Sequence, residues 1–252
     1  MEFVLFLPQM RLSFDDLVDR ARAAEAAGFG GIAGMDHLNP PLAEDQPMYE
    51  AMVTNTWLAA HTERLRIGSL VLCDAFRHPA VLARQAVSID HASGGRFELG
   101  IGWGSVVEEI ATFGAGSVKP ADRVARLAET LEVVQALWAG EVVDHHGEHH
   151  RLDGARQEPR PLGHIPIVIG GVGPKTLALV RDHADWWNVH VGHVHRIEEL
   201  RPQVGSARVS IQQVVALITD EGRRDEITDA ANRRFGWANP LVGNAEELVE
   251  HY

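Results

Sequence analysis

The sequence predicts an α/β protein, a (β/α)8 TIM barrel in one domain over residues 1–252, and three observations predict it. Short apolar runs alternate with amphipathic segments from end to end, the pattern of parallel strands joined by helices. No linker-like shift in composition and no short-period repeat divides the chain. The length of 252 residues admits two modest domains or one large barrel, and the alternation favours the barrel, closed by right-handed crossovers.

The elements follow in order. Phe3 to Leu7 is continuously apolar, as expected of a strand buried on both faces. Ser13 with Asp15 and Asp16 signals a helix start, Leu17, Ala21 and Ala24 lie at helical spacing, and Gly28 supplies the stop. Gly31 to Met35 is a second strand, ending at Asp36-His37, and a helix runs from Met48 to Thr62. Leu65 to Leu72 is strand three. Pro79 opens a helix through Leu82, Ala86 and Ile89 that stops at Gly94-Gly95. Strand four is Phe97 to Ile101. From Pro120 to Ala139, Val124, Leu127, Leu131, Val134 and Trp138 form one apolar stripe, and Gly140 ends the helix. The polar stretch 141–164, with turn signals at Gly147 and Gly154, predicts an inserted hairpin and loop. Ile165 to Ile169, Trp186 to Val191 and a long run Arg208 to Ile218 complete seven strands. The eighth is missing from this reading: either the barrel is open or the sequence is a trimmed version.

Composition narrows the function. With 23 Lys and Arg against 35 Asp and Glu, the net charge of −12 weighs against nucleic acid or an anionic membrane as main partner. Cys73 is the sole cysteine, so no internal disulfide or cysteine-based zinc cluster can form. The apolar run near the N-terminus is too short for a signal peptide, and no stretch reaches the length of a membrane span. A cytoplasmic enzyme is the expectation.

In a parallel barrel the chemistry sits at the C-terminal strand ends. That rule selects Pro8 and Gln9, Asp36 and His37, Cys73 and Asp74, Gly102 to Ser105, Gly170 to Gly173, and His190. In IPIVIGGVGPKT a strand runs into Gly170-Gly171-Val172-Gly173, and Pro174 opens a helix whose N-terminal amides favour an anion such as phosphate, with Lys175 adding charge. A tight turn needing glycine for geometry alone is the alternative. In LGIGWGSVVEE, Gly100, Gly102 and Gly104 leave room beside the strand end for something flat, and Trp103 could pack on it. The dinucleotide fingerprint fails there, because its third glycine is absent. The alternative is a packing turn with Glu108 and Glu109 on a solvated first helical turn. His37 is the best acid–base candidate, since a histidine at a strand end titrates near neutrality; a structural cap or hydrogen-bonded pair with Asp36 is the competing reading. His78, before Pro79, reads as structural. The histidines of Asp144 to His150 come as adjacent pairs pointing to opposite faces of a hairpin, so no metal site is expected. Cys73 reads as a small buried residue, and Trp186 and Trp187 as core and pocket wall.

Together these segments resemble the bacterial luciferase-like flavin-dependent oxidoreductases, over almost the whole chain and in order. The resemblance is carried by FVLFLP, GFGGIAGMDH, RLRIGSLVL, FRHPAVLARQAVSIDHASGGRFELGIGWG, the RVARLAETLEVVQALWAGE helix, HHGEHHRLDG, PRPLGHIPIVIGGVGP, ADWWN and NPLVGNAEELVEHY. It implies a TIM barrel with a mid-chain insertion and a cofactor that is FMN or the deazaflavin F420. It implies further that Gly170, Gly171, Val172 and Gly173 hold the cofactor phosphate and that Leu70, Val71 and Leu72, up to Cys73, back the ring. Gly102, Trp103, Gly104 and Ser105 would line the same pocket, a non-proline cis peptide would lie near Leu70–Val71, and His37 would stand near the reactive ring. Two departures disfavour the sugar-phosphate dehydrogenase activity of F420-using relatives: Pro41 stands where they carry tryptophan, and Ser105 where they carry glutamate.

The expected function is hydride transfer with F420, or monooxygenation with FMN and a separate reductase, on a small organic substrate; the histidine match favours F420. Leu38, Pro40, Pro41 and Met48 suggest a partly apolar pocket mouth. The resemblance implies a homodimer. The rivals are a non-redox barrel lyase or isomerase holding a substrate phosphate at 170–173, and an inactive flavin-binding homologue.

Overall fold

The structure is a computed structural model that describes residues 1–40, 43 and 45–252. The chain forms two compact units, one of residues 1–169 with 183–185, the other of 170–182 with 186–252.

The first unit runs β1 (Val4–Phe6), α1 (Phe14–Ala26), β2 (Gly31–Gly34), α2 (Ala51–His61), β3 (Arg66–Ser69), β4 (Leu72–Cys73), α3 (Pro79–Ser93), β5 (Phe97–Gly102), α4 (Val107–Thr112), α5 (Pro120–Ala139), β6 (Val143–His146), β7 (Arg151–Ala155) and β8 (Ile167–Gly170). The strands β1, β2, β3, β5 and β8 pair in that order, all parallel, and β4 also pairs with β5. Local chemistry sets the helix ends as anticipated. Ser13 and Asp16 make a reciprocal capping box on α1, Pro79 and Pro120 open α3 and α5, and Gly94 and Gly140 close those helices in the left-handed conformation. On α5 the buried line is Leu127, Leu131 and Val134 with Leu137, while Val124 and Trp138 flank it half-buried. The inserted stretch is an antiparallel hairpin of β6 and β7.

Strand three comes in two pieces. Gly68 pairs with Glu98 and Leu72 with Ile101, so four residues of advance on one strand oppose three on the other. The extra residue is a bulge at 69–71, which re-aims the chain at the strand end. Strand one also departs from expectation: Phe3 is 45% and Val4 44% exposed. Among the described residues its one ladder partner is β2, so it is an edge strand and not one buried on both faces.

The second unit holds α6 (Pro174–His183), β9 (Trp186–His190), α7 (Ile197–Leu200), β10 (Arg208–Gln212), β11 (Val215–Leu217), α8 (Arg224–Phe235), β12 (Leu241–Gly243) and α9 (Ala245–His251). The long strand expected over Arg208 to Ile218 is broken. Its first part, β10, lies parallel to β9, and its second, β11, pairs with β12, a strand the sequence reading missed. Gln213 marks the break, turning its amide onto the carbonyls of Val214 and Asn239. Among the described residues β1 and β10 each have one parallel partner, so the closed (β/α)8 barrel is corrected to an α/β fold with an open parallel sheet. No helix of the described residues is long and apolar enough to cross a membrane.

Candidate active site

Beyond the end of β2, Asp36 and His37 take separate partners, as neighbours on extended chain do. Asp36 is buried. Its carboxylate accepts the Cys73 N–H at 2.8 Å and a bidentate pair from Arg77, at 2.6 Å to Oδ2 and 2.9 Å to Oδ1. Arg77 reaches Glu50 as well. Burial pushes the Glu50 carboxyl up, but Arg77 and the Val53 N–H outweigh it and hold the group below the usual range. Upstream, the buried Gln9 fixes the backbone: its amide donates to the Met35 carbonyl at 2.6 Å and its oxygen accepts the Met35 N–H at 3.0 Å. Asp36 is thus tied into structure, and His37 alone is left as the acid–base candidate of the pair.

His37 Nδ1 lies 2.9 Å from Oε2 of Glu109, on α4. The other Glu109 oxygen accepts the N–H of Asn39 at 2.9 Å and that of Leu38. The expectation of a solvated Glu109 is corrected: its side chain is 5% exposed, while Glu108 faces out. Val106, Val107 and Ile110 around it carry the apolar signal of a packed turn, which could have placed Glu109 inside.

The bulge at 69–71 contains a non-proline cis bond, at Leu70–Val71. The room expected beside the glycines at the end of β5 is filled by this segment. A Cβ on Gly100 would stand 1.9 Å from the Ser69 carbonyl oxygen, one on Gly102 2.9 Å from Val71, and one on Gly104 2.9 Å from the Cys73 sulfur. Glycine here permits close approach of chain to chain. Trp103 lies under the Arg123 guanidinium, 4.6 Å from its ring centroid, and with Asp74, Arg126 and His149 lines a cavity of 270 Å³. Cys73 is buried and its thiol is pushed up to about 12, first by desolvation and then by the carboxylates of Asp36, Asp74 and Glu109, which disfavours the thiolate. Burial likewise raises Asp74, against the pull of Arg126.

In the second unit the glycine turn is pinned at one point and open elsewhere. The Gly171 N–H donates to the Asn188 carbonyl at 3.3 Å, and the Gly171 carbonyl accepts from the Trp187 indole at 2.7 Å. Gly171 sits at φ +128°, and Cβ atoms on Gly170 and Gly173 would meet nothing closer than 3.7 and 3.9 Å. Gly171, Gly173 and Lys175 are exposed and Val172 is half-buried, at the start of α6. His190, at the end of β9, stacks on Trp237 with centroids 5.1 Å apart and accepts the Gly192 N–H; burial lowers its pKa. Trp187 is core, and Trp186 carries Arg208 at 3.9 Å.

The remaining candidates have structural partners. His78 caps α3 through the Ala80 N–H. In the hairpin His145 pairs with Glu129, His146 with Asp153 and His150 with Thr130, and no metal-ligating group of three is found among the described residues. Leu38 is exposed, Met48 half-buried and Pro40 buried; Pro41 lies outside the described residues.

The family model for luciferase-like monooxygenases matches residues 1–250. The chain belongs to the luciferase-like monooxygenase family. Within reach of that family, it is 34% identical over 245 residues to an F420-dependent glucose-6-phosphate dehydrogenase of Microbacterium testaceum, covering 93% of this chain and 72% of that protein. To the enzyme of the same description from Nakamurella multipartita it is 34% identical over 174 residues, 68% of this chain and 50% of that protein. The match spans about half the length of most of these curated relatives. In fold it is similar to an F420-dependent secondary alcohol dehydrogenase solved with an F420-acetone adduct, with TM-score 0.83, 19% identity, and coverage of 99% of this chain and 88% of that one. That likeness is one of fold. The Microbacterium and Nakamurella relatives establish sequence kinship within the luciferase-like family.

Proposed function

We propose that the chain is an oxidoreductase of the luciferase-like family that uses F420, or failing that FMN, on a small organic substrate. The observation that carries the reading is the family match over residues 1–250, with relatives whose own descriptions name F420. His37 supports it, held at the end of β2 with one ring nitrogen committed to Glu109. In this reading His37 donates or accepts the substrate proton, and Leu70, Val71 and Leu72 back the cofactor ring. Gly102, Trp103 and Gly104 seat that segment and wall the pocket, because the space beside those glycines is taken by Val71 and Cys73. Gly170, Gly171, Val172 and Gly173 cradle the phosphate: the amides of Gly170, Val172 and Gly173 donate to it, which an acidic chain must recruit locally, while Gly171, whose N–H is spent on Asn188, turns the chain at φ +128°. Gly171 and Gly173 are exposed at the start of α6, which leaves the turn accessible to a ligand.

The bound cofactor supplies the hydride chemistry; the chain binds, orients and handles the proton. We propose further that residues 1–252 act as a single luciferase-like TIM-barrel domain in a cytoplasmic homodimer, served, with FMN, by a separate reductase. Ser105 is exposed where sugar-phosphate dehydrogenases carry glutamate, so glucose 6-phosphate is a poorer substrate than a neutral alcohol or ketone in this reading. Parallel fluorescence titrations with F420 and FMN test it. Saturable binding of F420, tighter than that of FMN, is expected; binding of neither overturns the proposal.

A further inference from the structure

We infer that Glu109 is a positioning residue that sets the tautomer of His37. The inference rests on the proton-handling role proposed for His37, yet it is argued from the side chains alone. The two oxygens of Glu109 do different work. Oε1 faces two backbone donors, the N–H groups of Leu38 and Asn39. Oε2 faces His37 Nδ1 at 2.9 Å. A carboxylate can only accept, so the uncharged imidazole must keep its proton on Nδ1. Nε2 then carries the lone pair and is the ring atom free to take a proton from a substrate hydroxyl or, once charged, to return it. The same carboxylate fixes ring orientation, because it also anchors the two residues that follow His37. A buried side chain on α4, 72 residues away in sequence, thereby decides which face of the histidine is basic.

The arrangement makes a specific demand on glutamine. In Glu109→Gln the side-chain oxygen must stay at the Oε1 site, since the Leu38 and Asn39 N–H groups both point at it. The NH2 group then occupies the Oε2 site and donates to His37 Nδ1. The ring must respond by moving its proton to Nε2, which inverts the tautomer while conserving shape and every backbone contact.

The test is nitrogen NMR on protein labelled at histidine, free of cofactor, in buffer alkaline enough that the ring is uncharged, with His37→Gln identifying the resonances. The wild type is expected to show the proton on Nδ1, and Glu109→Gln to show it on Nε2. An Nε2 proton in the wild type, or a Gln variant identical to the wild type, overturns the inference. Glu109→Ala strips two backbone N–H groups of their acceptor; if it fails to fold, the Gln variant still decides. A kinetic arm follows with F420 and a secondary alcohol: Glu109→Gln should lower kcat about 100-fold, the lower end of what a positioned acid–base group contributes, with KM and F420 affinity within about twofold. Full kcat in a tautomer-inverted variant defeats the proton-handling role of His37 in the proposed function and leaves the tautomer assignment standing. A wild type that neither binds nor uses F420 or FMN defeats the proposed function and leaves the NMR result standing.

Discussion

Arg77→Met is the substitution with the largest effect that the structure lets one work out. The Arg77 side chain is 9% exposed and that of Asp36 3%, and two hydrogen bonds of 2.6 and 2.9 Å join them. Methionine fills much of the same volume without charge, so the change isolates the loss of the guanidinium. Asp36 is then a buried carboxylate with the Cys73 N–H as its remaining neighbour in this network. Removing one partner of a buried ion pair costs about 3–5 kcal/mol, most of it the penalty of the stranded charge. Glu50, 41% exposed, rehydrates and adds little. Urea unfolding at neutral pH, followed by circular dichroism, measures the loss. Because the pair is shielded, the loss should persist at 0.5 M salt. The double variant Asp36→Asn/Arg77→Met removes the stranded charge yet keeps an oxygen for the Cys73 N–H, and should lie within about 2 kcal/mol of the wild type. A single-variant loss below about 1 kcal/mol, or a double variant no better than the single, refutes the reasoning.

Three further outcomes follow from the same geometry. Gly100→Ala sets a methyl 1.9 Å from a backbone oxygen that cannot swing aside, and should cost about 3 kcal/mol or more in urea unfolding, whereas Gly170→Ala, with 3.7 Å of clearance, should cost less than about 1 kcal/mol. Gly171→Asp places a branched, negative residue at φ +128° in the glycine turn; F420 titration should show binding lost, and unchanged affinity would refute the phosphate assignment. Acid should lower the melting temperature in two stages. Burial, with Arg126 next, holds His150 to about 4 against an ordinary 6.5, so the native state resists a proton the unfolded chain accepts, and its contribution is whole above pH 6.5 and lost as pH falls toward 4. Burial pushes Glu129 up, but His145 and the N–H groups of residues 148–150 hold it to about 2, so its contribution is lost only as pH falls from 4.5 toward 2. His150→Gln should shrink the upper stage, leaving the part that His190 contributes, and a melting curve unchanged by it would show that Thr130 and His150 are not the sensor.

What the sequence made legible was local. Capping residues at Ser13, Pro79, Gly94, Pro120 and Gly140 act within a turn of their own position, and each falls at a helix end. His37 and the glycine turn fall at strand exits for the same reason, since a strand and its exit are contiguous in the chain. The misses are long-range. Nothing near Val4 reveals that its outer edge has no partner strand, so a continuous apolar run reads as doubly buried. Nothing near Val215 announces that its partner is Leu241. Gly102 reads alike whether its empty side faces a ligand or Val71, because a missing side chain does not say what fills its place. Glu109 was misplaced by the same logic: a carboxylate in a first helical turn is stabilised by the dipole wherever it points, and only the fold brings His37 to it.

The three strand-end segments brace one another in a way that separates the partners of two adjacent residues. Asp36 ties the β2 exit to the segment after the bulge, through the Cys73 N–H and Arg77. Glu109 ties the same exit to the segment after β5, through the backbone of residues 38 and 39. Between these two anchors His37 cannot drift toward either neighbour, and its one committed nitrogen is spent on the second anchor. Had the braces been exchanged, with Glu109 beside Asp36, two buried carboxylates would repel. The opposite-sides rule for extended chain therefore sorts the charges: the aspartate side takes the arginine, and the histidine side takes the carboxylate.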